Sequence, residues 1–118
     1  MFERKDEKAV PVSTVRRDLN NEKENVAENL RDCSDKLDRR IKDLDEQIDE
    51  ADDKVKKSLT DMRVKLSREK TKVDKSLKDI EQSTEANWQK INRKAAEVLT
   101  EARIESQKIE ERVEDLIE

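Results

Sequence analysis

Apolar side chains recur along this chain at alternating steps of three and four residues from Leu19 to Leu116. The stripe runs Leu19, Glu22, Val26, Leu30, Cys33, Leu37, Ile41, Leu44, Ile48, Ala51, Val55, Leu59, Met62, Leu66, Glu69, Val73, Leu77, Ile80, Thr84, Trp88, Ile91, Ala95, Val98, Ala102, Ser106, Ile109, Val113 and Leu116. Of these 28 positions, 24 are apolar when Ala and Cys are counted, and only Glu22, Glu69, Thr84 and Ser106 interrupt. Apolar residues are scarce elsewhere, so the pattern marks one face of an α-helix. The steps group into sevens and elevens and cover 94 residues in 26 steps from Leu19 to Val113. That is about 3.6 residues per turn, the period of an unstrained helix. Heptads alone wind a supercoil to the left and eleven-residue repeats wind it to the right. Mixed as they are here, they predict a helix with little net winding.

The expected fold is therefore all-α: one long, nearly straight amphipathic helix over 13–118, forming a coiled coil or helical bundle. Continuous, it would measure roughly 150 Å at about 1.5 Å per residue. A charged arm over 1–12 precedes it. Pro11 keeps Val10 out of the helix, and Ser13 or Thr14 is a natural N-cap. Asn21 with Glu24 offers a second capping box. From Glu22 onward there is neither Gly nor Pro. Two soft points remain, Ser58–Asp61 and Gln82–Asn87, where Ser, Thr, Asp and Asn compete with helical hydrogen bonding. A helical hairpin would turn near 58–61 or 82–87. The stripe passes through both without a skip, which favours the continuous helix.

Composition sharpens this picture. The chain has 118 residues, of which 49% are charged and 31% hydrophobic, with no His and no Gly. Ordinary globular domains carry about 25% charged and 45–50% apolar residues. A narrow stripe on a lone helix has to meet another stripe to be buried, so burial of a sizeable core within one monomer is not expected. A homo-oligomer is the first expectation, with another long-helix protein as an alternative partner. The longest apolar runs are too short to cross a bilayer, and no secretory leader is visible at the N-terminus. A cytoplasmic setting is the default.

Charge is distributed in blocks. Asp43–Asp53 holds seven acids and no base; Lys54–Lys78 holds ten bases and three acids; Glu97–Glu118 holds eight acids and three bases. Blocks of opposite sign set the orientation of neighbouring helices. Antiparallel pairing centred near residue 57 sets the first acidic block against the basic one. A second centre near residue 87 does the same for the last block. Antiparallel neighbours are therefore favoured over parallel ones.

Candidate chemistry is sparse. Without His, acid–base work would fall to carboxylates, which need a burial-shifted pKa in a cleft. A rod offers no such cleft, and no Ca²⁺ loop with its central Gly is present. No enzymatic function, cofactor or metal is expected, and catalytic, cofactor-binding and metal residues are none. The residues singled out are the expected oligomer interface: Leu30, Cys33, Leu37, Ile41, Leu44, Ile48, Val55, Leu59, Met62, Leu66, Val73, Leu77, Ile80, Trp88, Ile91, Val98, Ile109, Val113 and Leu116. Glu69, an acid in mid-seam, is the register-setting polar residue, because polar seam positions fix register while weakening it. The function expected is a self-associating helical rod serving as scaffold, spacer, tether or filament subunit. The alternative is a peripheral membrane-surface helix on anionic lipid, since lysines flank the stripe through Lys54–Lys78. Nucleic acid is disfavoured, because no aromatic residues interleave with those bases and acidic blocks stand on either side.

Overall fold

The computed structural model describes residues 12–117, and their side chains from Leu19 to Leu116. The arm expected at 1–12 lies, apart from Val12, outside the described residues. Three α-helices follow one another: α1 (Val12–Glu50), α2 (Asp53–Glu81) and α3 (Trp88–Ile117). Among the described residues there is no strand. The helices run alternately up and down and pack into a bundle of 75 × 23 × 18 Å. The single continuous helix is thus corrected: the chain folds back on itself twice, and its stripe is buried against its own segments.

The first reversal lies at Ala51 and Asp52, not at Ser58–Asp61. Asp52 takes an extended conformation (φ −75°, ψ 171°) and its carboxylate accepts a hydrogen bond from the Val55 amide at 3.0 Å. This is an N-cap, and Asp is among the best residues for one. The placement also suits the acids. Asp53 stands in the first turn of α2, where the positive end of the helix dipole favours it. A continuous helix would instead place Asp49 and Asp53 as like-charged neighbours four residues apart, at a cost of tenths of a kcal/mol. Ser58–Asp61 stays helical because Leu59 and Met62 are anchored in the core, at 0% and 2% exposure.

The second reversal lies within 82–87, as the hairpin alternative places it. Gln82 caps α2, its amide bonding to the Lys78 and Ile80 carbonyls. The Ser83 hydroxyl donates to Ile80 O at 2.7 Å, and the Thr84 amide donates to Asn87 Oδ1 at 2.7 Å. Lys23 of α1 reaches across to donate to the Ser83 carbonyl at 3.0 Å, fastening the turn to the first helix.

Burial inside the helices is more regular than the sequence stripe. In α2 the buried residues are Leu59, Met62, Leu66, Glu69, Val73, Ser76 and Ile80, strict alternation of three and four. In α1 the series Ala27, Leu30, Ser34, Leu37, Ile41 and Leu44 does the same, with Cys33 buried beside Ser34 as an additional residue. That is the 3.5-residue period of a left-handed coiled coil, not the mixed period expected of a straight rod. Ala27, Ser76 and Ser83 take the slots that hydrophobicity assigns to Val26, Leu77 and Thr84. The elevens arise from following bulky residues past small buried ones and through two turns.

Charge blocks pair as their signs require, but within one chain. Arg63 bridges Asp45, and Ser34 bonds Asp74; the midpoint of either pair is residue 54. Lys72 meets Glu101 at 3.2 Å, midway near residue 87. Arg40 bridges Glu110, linking α1 to α3.

Candidate functional site: a polar layer inside and a basic ridge outside

The expected interface residues lie mostly in the internal core. Leu30, Cys33, Leu37, Ile41, Leu44, Leu59, Met62, Leu66, Val73, Ile80, Trp88, Val98 and Ile109 are buried there. Ile48, Val55, Leu77, Ile91 and Val113 are partly buried against it, and Leu116 is exposed. The fold brings all these helices' seams together in one chain. Among the described residues, Val64, Ile104 and Leu116 are the large apolar side chains left exposed.

Midway along the bundle the edge of the α1–α2 seam turns polar. Ser34 of α1 donates to Asp74 Oδ1 at 2.7 Å, while Lys70 donates to Asp74 Oδ2 at 2.9 Å. Partial burial pushes the Asp74 carboxyl up, but the hydrogen bonds from Ser34 and Lys70, with the Lys70 charge, outweigh it and hold its pKa below the ordinary value. Ionised Asp74 therefore contributes stability above its unfolded pKa near 3.8, lost as pH falls through the lower folded value. Asp74→Asn should melt below the wild type at neutral pH, and the two melting temperatures should converge below about pH 3.8. A gap that stays constant down to pH 2 would contradict this.

Glu69 lies next to that layer, 8% exposed. Its Oε2 accepts from Lys72 at 3.4 Å, and Lys72 also reaches Glu101. Glu69 Oε1 is buried and has no hydrogen-bond partner among the described residues. Cys33 stands on the facing seam of α1. Burial raises its thiol pKa, a nearby Arg103 and Lys36 oppose the shift, and the Glu69 charge adds to it. A thiol held protonated is a poor nucleophile. Among the described residues no group of three or more His, Cys, Asp or Glu is placed to hold a metal ion. Of these bonds, Ser34–Asp74 joins α1 to α2 and Lys72–Glu101 joins α2 to α3, while Lys70–Asp74 lies within α2.

Outside, α2 carries a ridge of bases. Lys54, Lys57, Lys65, Arg68, Lys75 and Lys78 are exposed on the side away from the core, at spacings that keep them on one side of a helix. Lys75 pairs with Asp79 at 3.5 Å. Lys54, Lys57, Lys65, Arg68 and Lys78 form no ion pair among the described residues.

The polar layer was partly visible in the sequence as Glu69 and Cys33. Ser34, Asp74 and Arg103 carry no such mark in the sequence, and Lys70 stands out there only as one of the bases flanking the stripe. The signal that finds Ser34 is the heptad count from Leu30 to Leu37, which demands a buried residue three before Leu37. No helix among the described residues is long and apolar enough to cross a membrane. No protein-family model, curated protein or solved structure matches this chain.

Proposed function

We propose that this chain is a non-enzymatic interaction protein, a compact helical scaffold, spacer or tether in the cytoplasm that meets its partners through charge. The observation that supports this is the division of surfaces. The apolar seams face one another inside the bundle, and the exterior carries a basic ridge on α2 between acidic segments, five of its six bases forming no ion pair among the described residues. Such a ridge suits an acidic helical surface, and the chain itself presents two, around Asp43–Asp53 and along the end of α3. Long-range attraction of this kind steers and orients more than it tightens, and salt screens it over about 10 Å. Self-association through charge is one instance of the same chemistry. A filament would need further surfaces of this type at both ends.

Sedimentation of the intact chain at low and at high salt tests the proposal. Weak self-association at low ionic strength should vanish near 0.5 M salt. It should vanish equally in Lys57→Glu/Lys65→Glu/Arg68→Glu, whose fold is unchanged because all three residues are exposed. A chain whose mass ignores salt and charge reversal alike would refute it. Vesicles of anionic and of zwitterionic lipid serve as the comparison. Binding to the anionic vesicles alone would transfer the ridge to the membrane-surface reading.

A further inference from the structure

We propose that two copies of this chain exchange their first helices by straightening at Ala51–Asp52, forming a symmetric dimer in which each α1 packs on the partner's α2 and α3. The exchange depends on the hinge and not on the basic ridge, so it stands or falls separately from the function proposed above.

Four observations carry it. The hinge is only two residues long, Ala51 and Asp52, between helices ending at Glu50 and starting at Asp53. It contains neither Gly nor Pro, and the Ala51 amide still bonds to the Ile48 carbonyl at 3.4 Å. The backbone is therefore close to helical on both sides of one extended residue. Next, the apolar seam keeps its spacing through the hinge: Ile48, Ala51, Val55 and Leu59 fall at steps of three, four and four. A straightened α1–α2 helix would present one unbroken face.

The third observation is symmetry. The α1–α2 contacts share a midpoint near residue 54, inside the first turn of α2 and two residues past the hinge. Two straightened helices crossing antiparallel at that point would remake the same pairs between chains, Ser34 with Asp74 and Asp45 with Arg63. No contact of the closed bundle beyond the hinge itself is lost. A swap of this kind needs no new surface, which makes it a low-cost route to a dimer. The last is the device that holds the hinge bent. The Asp52 carboxylate caps the Val55 amide at 3.0 Å, and this bond exists only while Asp52 is out of the helix. Ala at 52 would remove the cap and put the best helix former in its place.

The dimer would also differ in shape. Straightening joins residues 12–81 into one helix, and two of them crossing at residue 54 reach roughly 125 Å end to end at about 1.5 Å per residue. The closed bundle measures 75 Å.

The test uses the full chain with Cys33→Ser, Ser34→Cys and Asp74→Cys, joined by a short bifunctional thiol reagent after refolding at high concentration. In this background Asp52→Ala should give at least ten times more dimer than Asp52 by size exclusion with light scattering. Its crosslinks should be interchain on a denaturing gel. Two glycines inserted between Ala51 and Asp52 should return the chain to monomer with intrachain crosslinks. Should Asp52→Ala lose its helical signal, the Asp52 protein refolded at the same concentration decides: interchain crosslinks in its dimer fraction uphold the exchange. A monomer throughout, or a dimer whose crosslinks are all intrachain, overturns it.

Discussion

Glu69→Leu should melt about 5–10 °C above the wild type. Glu69 occupies a seam position between Leu66 and Val73 and is 8% exposed, with Oε1 buried and unpartnered. A buried polar atom without a partner costs about 1–3 kcal/mol. Replacing a buried charge with an apolar residue of similar volume is often stabilising for that reason. Lys72, the cation paired with Glu69 among the described residues, keeps Glu101 at 3.2 Å, so the substitution strands no charge. In a chain of this size about 1 kcal/mol corresponds to roughly 4 °C. The same change should weaken the uniqueness of helix register, since an all-apolar seam tolerates slippage that one acid forbids. Thermal melts followed by circular dichroism check the first effect, and the mass distribution checks the second. A melting temperature at or below the wild type would mean that Oε1 is satisfied and that Glu69 stabilises the bundle outright.

Leu66→Ala should act in the opposite direction and more strongly. Leu66 is fully buried, at 0% exposure, three residues from Glu69 and between Met62 and Val73. Truncating a fully buried Leu to Ala costs about 2–5 kcal/mol, through lost transfer energy and the cavity left behind. Domains of this kind have about 5–15 kcal/mol in total, and this one, with 49% charged residues, has few other large side chains to compensate. Urea unfolding should show a midpoint reduced by a third or more with a similar slope. Leu116→Ala, at an exposed position near the end of α3, is the control and should change little. Equal effects at both positions would mean that the seam is not buried as described.

The helical character and the seam were legible because apolar residues are rare here and their spacing admits no strand. Pairing of the acidic and basic blocks by reversal was legible too, as an expectation between chains centred near residue 57; the structure shows such a reversal within one chain, about residue 54. What the pattern did not contain is whether the reversed neighbour is another chain or the next segment of the same one. Pairing about residue 54 has the same contacts either way, and only the two residues Ala51 and Asp52 decide. Neither is Gly or Pro, and an Asp within a run of seven acids looks like surface charge until its carboxylate is seen on the Val55 amide. At 82–87 the softness was plain, since Ser83, Thr84 and Asn87 all bond locally to the backbone or to each other's backbone groups. Small buried residues were the other blind spot. Ser34, Ser76 and Ser83 are buried at 8% exposure or less, yet the sequence stripe passes over serine and runs through Cys33, Leu77 and Thr84 beside them. A strict three-four count from either side finds them; a search for bulk does not.

The central claim is that the seam closes within one chain. Small-angle scattering of dilute protein, with absolute mass from the same sample, tests it most directly. The closed bundle has a mass of 13.9 kDa, a radius of gyration near 20.3 Å and a longest dimension near 75 Å, and these are the values expected. A particle roughly 150 Å long, the length of an unbroken helix at about 1.5 Å per residue, with the mass of two or more chains, would contradict it.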